Sequence, residues 1–131
     1  VGDTVRLVHA DAMEVDWTSV LGTSSWTAVA NLPYNVATPV VLRLLEEAPG
    51  VEWMLVMVQR EVGERLAAGP GTKAYGIPSV KVAFRATARV VGTVPADVFH
   101  PRPKVTSALV SIERRPAGSA TKPSHLTGDL T

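Results

Sequence analysis

Thr27-Ala28-Val29-Ala30-Asn31-Leu32-Pro33-Tyr34-Asn35 is a short apolar run that stops against a proline, and the helix and strand signals just beyond it decide the architecture. The pattern predicts a strand over residues 27–30. Pro33 cannot donate to a ladder and pushes Leu32 out of the helical region, so the strand breaks there. Residues 38–47 (TPVVLRLLEE) read as a helix. Thr38 is a good N-cap, Pro39 suits the first helical position, and Pro49-Gly50 ends the element. Val41, Leu42, Leu44 and Leu45 form its apolar face. Residues 53–59 (WMLVMVQ) are nearly all apolar, as expected of a strand covered on both faces. A strand, a helix and a second strand in this order point to an α/β layered fold.

Working outward, residues 5–9 (VRLVH) are expected to form an earlier strand ending at Ala10-Asp11-Ala12. Residues 60–68 (REVGERLAA) return to helix, with Glu61 and Arg65 as an i,i+4 pair. Residues 69–76 (GPGTKAYG) have loop composition. Ile77, Val80, Ala83 and Phe84 share a helical face, which favours a helix over 77–85. Residues 87–94 (TARVVGTV) and 107–113 (SALVSIE) read as strands around a proline-rich bend at 95–103. No helix separates them, so an antiparallel pair is expected. From 116 to 131 the chain is small and polar and reads as a disordered tail or linker, leaving 1–115 as the folded unit.

The 131 residues contain no cysteine, which excludes disulfides, thiolate metal sites and thiol nucleophiles. His9, His100 and His125 are too scattered to suggest a metal site. No apolar run approaches the length of a membrane span, and a cytoplasmic setting is compatible with this. The net charge of +1 is too small for nucleic-acid binding by bulk field. Its distribution is uneven, however. Between residues 68 and 115 stand Lys73, Lys81, Arg85, Arg89, Arg102, Lys104, Arg114 and Arg115, against only Asp97 and Glu113. A polyanion contact would fall on this half, although a solvated basic surface explains the same pattern.

Asn31-Leu32-Pro33-Tyr34 falls at the end of a strand, where open α/β sheets bind their ligands. Its chemistry suits transfer to an exocyclic adenine amine, whose lone pair is delocalised into the ring. Two acceptors on the two amine hydrogens, the Asn31 side-chain oxygen and the Leu32 carbonyl, would favour the sp3-like geometry needed for attack. Pro33 would stiffen the turn, and the Tyr34 ring would stack on an extruded base. An ordinary Asn-Pro turn with a surface tyrosine is the plain alternative.

Several further segments carry a resemblance. They are His9-Ala10-Asp11-Ala12, Val29 through Asn35, Val58-Gln59-Arg60-Glu61-Val62-Gly63-Glu64-Arg65-Leu66, Lys73-Ala74-Tyr75-Gly76 with Ser79-Val80, and Val94-Pro95 with the run from Phe99 to Ala108. In this order and spacing the chain resembles the small-subunit ribosomal RNA adenine dimethyltransferases, the KsgA family. The resemblance implies a Rossmann-like methyltransferase fold that closes with an antiparallel hairpin, and S-adenosylmethionine as co-substrate without a metal. It implies methylation of two adjacent adenines near the 3′ end of small-subunit RNA, by a monomer acting on that RNA or a pre-ribosomal particle. By position, Asp11 and Ala12 would bind the cofactor's adenine, and Asn31 would touch both its methionine end and the target amine. Tyr34 and Phe99 would sandwich the target base. Arg102 and Lys104, and more weakly Arg60, would meet RNA phosphate.

Nothing in the chain resembles the glycine-rich first strand and loop of that family, or the acidic end of its second strand, and it begins at Val1 rather than Met. The expectation is a piece of the catalytic domain with the first strands missing, binding cofactor weakly or not at all and exposing an apolar sheet edge. Two other readings stand beside the first. One is a macrolide-resistance-type methyltransferase of large-subunit RNA. The other is a non-catalytic RNA-binding assembly factor.

Overall fold

The computed structural model describes residues 5–95 and 106–116. In chain order the elements are α1 (Trp17–Leu21), β1 (Trp26–Asn31), α2 (Tyr34–Glu47), β2 (Val51–Gln59), α3 (Arg60–Ala67), α4 (Ile77–Arg85), β3 (Ala86–Val94) and β4 (Ser107–Arg114). The strands form one sheet in the order β1-β2-β4-β3. β1 and β2 run parallel, as a strand–helix–strand unit requires. β4 is antiparallel to both its neighbours, β2 and β3, which makes the expected closing pair. The register slips between Val90 and Gly92, so Val91 is the extra residue of a bulge.

The core lies on one face of this sheet. Met54, Val56 and Val58 of β2 and Ala108, Val110 and Ile112 of β4 alternate onto that face and are buried. Ala37, Val40, Val41, Leu44 and Leu45 of α2, Val62 and Leu66 of α3, and Val82 of α4 cover them. α3 approaches especially closely: a Cβ on Gly63 would lie 3.0 Å from both the Ala108 Cβ and a Val110 methyl. The opposite face is only half covered at Leu55, Met57 and Leu109, and Val29 on β1 is 75% exposed. The expectation that β2 is buried on both sides is therefore corrected. Its apolar run fills a core on one face alone.

Three other expectations change. Residues 5–9 form no strand: all are exposed and pair with none of the four strands. β-branched residues make a strand only when a neighbour completes the ladder, and β1 is followed outward by none among the described residues. The second helix begins at Tyr34 rather than after Thr38. Pro33, with φ −65°, takes the N-cap position, and its carbonyl accepts from Val36 N–H at 3.2 Å and Ala37 N–H at 3.0 Å. Pro39 thus lies inside the helix, where it can give no N–H to the Asn35 carbonyl. The burial of five α2 residues outweighs that loss. On α3 the ion pair that forms is Arg60–Glu64 at 3.4 Å, rather than Glu61–Arg65.

α1 has no counterpart among the elements expected from the sequence. Asp16 caps it by accepting from the backbone N–H groups and hydroxyls of Thr18 and Ser19. Each tryptophan is anchored through its indole N–H: Trp17 to the Ala12 carbonyl, Trp26 to the Leu21 carbonyl and Trp53 to the Ser111 hydroxyl. No helix among the described residues is long and apolar enough to cross a membrane.

Candidate active site

β1 and β2 end side by side, at Asn31 and Gln59, and each turns directly into a helix. The β1 ladder reaches one residue past the strand, with Leu32 N–H donating to the Met57 carbonyl at 2.9 Å. Asn31 pairs across to Met57 and is exposed, as are Pro33 and Tyr34, while Leu32 is half-buried against the core. The Asn31-to-Tyr34 corner is therefore a rigid, solvent-facing structure, tied by the ladder on one side and by α2 on the other. Tyr34 is 64% exposed, so the face of its ring is available to a planar ligand.

The first turns of α2 and α3 enclose a groove of about 330 Å³ beside this corner. Tyr34, Asn35 and Thr38 line one wall, and Glu61, Val62 and Arg65 the other. Neither helix has a side-chain N-cap. A second, smaller groove lies at Gln59, Arg60, Glu61 and Thr106. Arg60 is exposed there, its side chain beside Glu64 and its N–H on the Thr106 carbonyl at 2.9 Å.

Asp11 and Ala12 form a tight turn before α1. The Asp11 carbonyl accepts from the Glu14 and Val15 N–H groups, both at 2.9 Å, and its Oδ1 accepts from Met13 N–H at 2.8 Å. The carboxylate is exposed, and Oδ2 takes no hydrogen bond among the described residues. That oxygen is open to a further donor. Arg43, on α2, ties this turn to the helix that begins at Tyr34: Nη1 donates to the Ala12 carbonyl and Nη2 to the Val15 carbonyl, the latter at 2.6 Å. Sequence reasoning missed Arg43, which looks like an ordinary polar-face residue. Its only local signal is Glu47 four residues on, with which it pairs at 3.1 Å. Phe99, Arg102 and Lys104 lie outside the described residues, as do the bend that holds them and the tail from 117 onward.

An adenine-bearing sulfonium cofactor fits this arrangement in part. Asp11 offers an acceptor for its base and Asn31 an exposed amide. Among the described residues no glycine-rich strand-to-helix turn stands ready for the methionine end. Gly69-Pro70-Gly71 follows a helix, not a strand.

Comparison with known proteins agrees with the fold. Ribosomal RNA small subunit methyltransferase A of Streptomyces coelicolor is 52% identical over 113 residues, which is 86% of this chain and 39% of that protein. The protein of the same name from an Arthrobacter species is 53% identical over 119 residues, 89% of this chain and again 39% of the relative. The chain thus spans well under half the length of these curated relatives. Among solved structures, a dimethyladenosine transferase from Plasmodium falciparum superposes with a TM-score of 0.70 at 25% identity, covering 82% of this chain and 38% of that one. The 23S rRNA methyltransferase ErmE superposes with a TM-score of 0.69 at 23% identity over 92% of this chain, a likeness of fold alone. The sheet is accordingly part of a Rossmann-like methyltransferase fold. A family model for ribosomal RNA adenine dimethylase matches residues 1–125, and the chain belongs to that family.

Proposed function

We propose that the complete gene product carrying this sequence is an rRNA (adenine-N6,N6-)-dimethyltransferase. It acts in the cytoplasm, as a monomer, on two adjacent adenines near the 3′ end of small-subunit RNA or its pre-ribosomal particle. The observation that carries this reading is the exposed Asn31-Leu32-Pro33-Tyr34 corner at the carboxyl end of β1. The 52% identity to a small-subunit methyltransferase favours this reading over the large-subunit alternative, for which only likeness of fold speaks.

S-adenosylmethionine supplies an electrophilic methyl group. Asn31 and the Leu32 carbonyl accept from the adenine N6 hydrogens, which turns the nitrogen lone pair out of conjugation and towards that carbon. Asp11, Ala12 and Asn31 would hold the cofactor so that its methyl carbon meets the amine nitrogen, with the electron pair of the opened C–S bond staying on sulfur. The resulting ammonium is acidic enough to release its proton to solvent, so no strong base is required. Tyr34, with Phe99, holds the extruded base by stacking, worth about 1–3 kcal/mol per base. Asp11 and Ala12 select the cofactor's adenine, since a carboxylate there can only accept. Arg102, Lys104 and Arg60 meet phosphate.

The test is methylation of immature small-subunit particles by the complete gene product and by its Asn31→Ala variant, read by RNA mass spectrometry. Dimethyladenosine from the parent and its loss in the variant support the reading. Equal rates would refute the role of Asn31, and no product from the parent would refute the function.

A further inference from the structure

We propose that Arg43 is a positioning residue for the cofactor. Its guanidinium locks the Asp11–Ala12 turn to α2, so that the adenine-recognising carboxylate and the catalytic corner move as one unit. This rests on the function proposed above.

The turn needs an external anchor. Residues 5–10 before it form no regular structure and are exposed, and α1 starts only at Trp17. Hydrogen bonds within the turn, from Met13, Glu14 and Val15 to Asp11, set its shape but not its place in the fold. Its place is set from outside. Arg43 lies in the same helix as Tyr34, and its side chain is only 14% exposed. One guanidinium edge spans two carbonyls of the turn, Nη1 on Ala12 and Nη2 on Val15, while Nε faces Glu47. Trp17 adds a second donor to the Ala12 carbonyl at 3.2 Å. Two carbonyls three residues apart match a rigid planar fork, which an ammonium on a flexible stem cannot reproduce.

The Ala12 carbonyl adjoins the residue whose carboxylate would read the cofactor base. Any drift of the turn moves Asp11 relative to Asn31, although neither side chain touches Arg43 in the described contacts. A residue acting this way alters cofactor affinity more than the chemical step, because it shifts where the bound base sits while leaving the Asn31-to-Tyr34 corner intact.

The experiment uses the complete gene product with Arg43→Met, which keeps an apolar stem, Arg43→Lys, which keeps the charge without the fork, and Glu47→Gln as a control. Hydrogen exchange at the Met13, Glu14 and Val15 amides reads the turn without reference to activity. Calorimetry with S-adenosylmethionine reads affinity, and steady-state kinetics separate KM from kcat. In both Arg43 variants the three amides should exchange faster, and the Kd and KM for the cofactor should rise about tenfold while kcat and the KM for RNA stay within about twofold. Glu47→Gln should leave all of these near the parent, since an exposed partner of this kind contributes little. Faster exchange with unchanged cofactor affinity would overturn the proposal and leave Arg43 a structural clamp, as would full retention of affinity by Arg43→Lys. If Arg43→Met does not fold, the lysine variant decides the matter alone. If the parent methylates no small-subunit RNA, the function proposed above fails, while exchange and calorimetry still judge the role of Arg43.

Discussion

Arg114, the last residue of β4, donates from Nη1 to the carbonyl of Leu45 at 3.0 Å, across 69 residues of chain. The same guanidinium reaches the carbonyls of Leu44, Ala48 and Val51 at 3.3, 3.1 and 2.9 Å. Leu44 and Leu45 belong to the last turn of α2; the Leu44 carbonyl also accepts from the Ala48 N–H, while the Leu45 carbonyl has no helical partner. A cation there also meets the negative end of the helix dipole. Burial, and secondarily the like charge of Arg85, lower the pKa of Arg114. A guanidinium nevertheless keeps its proton through the neutral range, so this clamp does not vary with pH there. Arg114→Met should cost about 2–4 kcal/mol, since charged hydrogen bonds are lost and carbonyls stranded. Urea unfolding would show a lower midpoint with an unchanged slope, and a midpoint equal to the parent's would contradict the assignment.

Gly63 sets two effects against each other. Alanine is the better helix former by about 1 kcal/mol. The added methyl, however, would stand 3.0 Å from the Ala108 Cβ and from a Val110 methyl, and 3.3 Å from a Val58 methyl. The Ala108 Cβ cannot rotate away, and Ala108 and Val110 are both fully buried. Overpacking of this kind costs about 1–3 kcal/mol and should win. Gly63→Ala is therefore expected to lower Tm, and a rise in Tm on thermal unfolding would mean that α3 packs less closely than described.

Asp16 should titrate below its ordinary value of 3.8. The hydrogen bond from the Thr18 hydroxyl is the largest cause, followed by that from the Ser19 hydroxyl. Because the folded value is depressed, the cap's contribution is present above the unfolded pKa and is lost as pH falls through the folded one. Carboxyl-carbon NMR titration reads this directly. Thr18→Ala should move the midpoint back up, and a parent midpoint at or above 3.8 would count against the cap.

Tyr34 should separate stability from activity. The residue is 64% exposed, so Tyr34→Ala should change the unfolding free energy by no more than about 0.5 kcal/mol. Loss of base stacking should lower kcat/KM for RNA by about tenfold, the lower-middle part of the range for one stacked base. Tyr34→Phe should keep most of the activity. A variant lacking the ring but retaining the parent's kcat/KM would remove Tyr34 from the site.

Much of the fold is legible where local pattern and packing agree. The strand expected over 27–30 appears as β1, and the helices expected over 60–68 and 77–85 appear as α3 and α4. The hairpin of 87–94 with 107–113 appears as β3 and β4. In each, apolar periodicity names the buried face before any neighbour is known. The start of α2 departs from expectation because Pro39 carries the usual signature of a first helical position. Only the burial of Ala37 and the bonds of Val36 and Ala37 N–H to the Pro33 carbonyl show that the helix already exists upstream of it. Residues 5–9 depart from expectation for the converse reason: a strand is a relation between segments, and composition cannot supply the partner.

The Asn31-to-Tyr34 corner comes from residue order alone, because a proline after a strand dictates its own backbone locally. Arg43 and Arg114 cannot be placed in that way. Each spends its guanidinium on carbonyls roughly thirty to seventy residues distant, and a carbonyl looks the same at every position of the chain. Which of them a charged fork reaches is settled only when helix, turn and sheet come together in three dimensions.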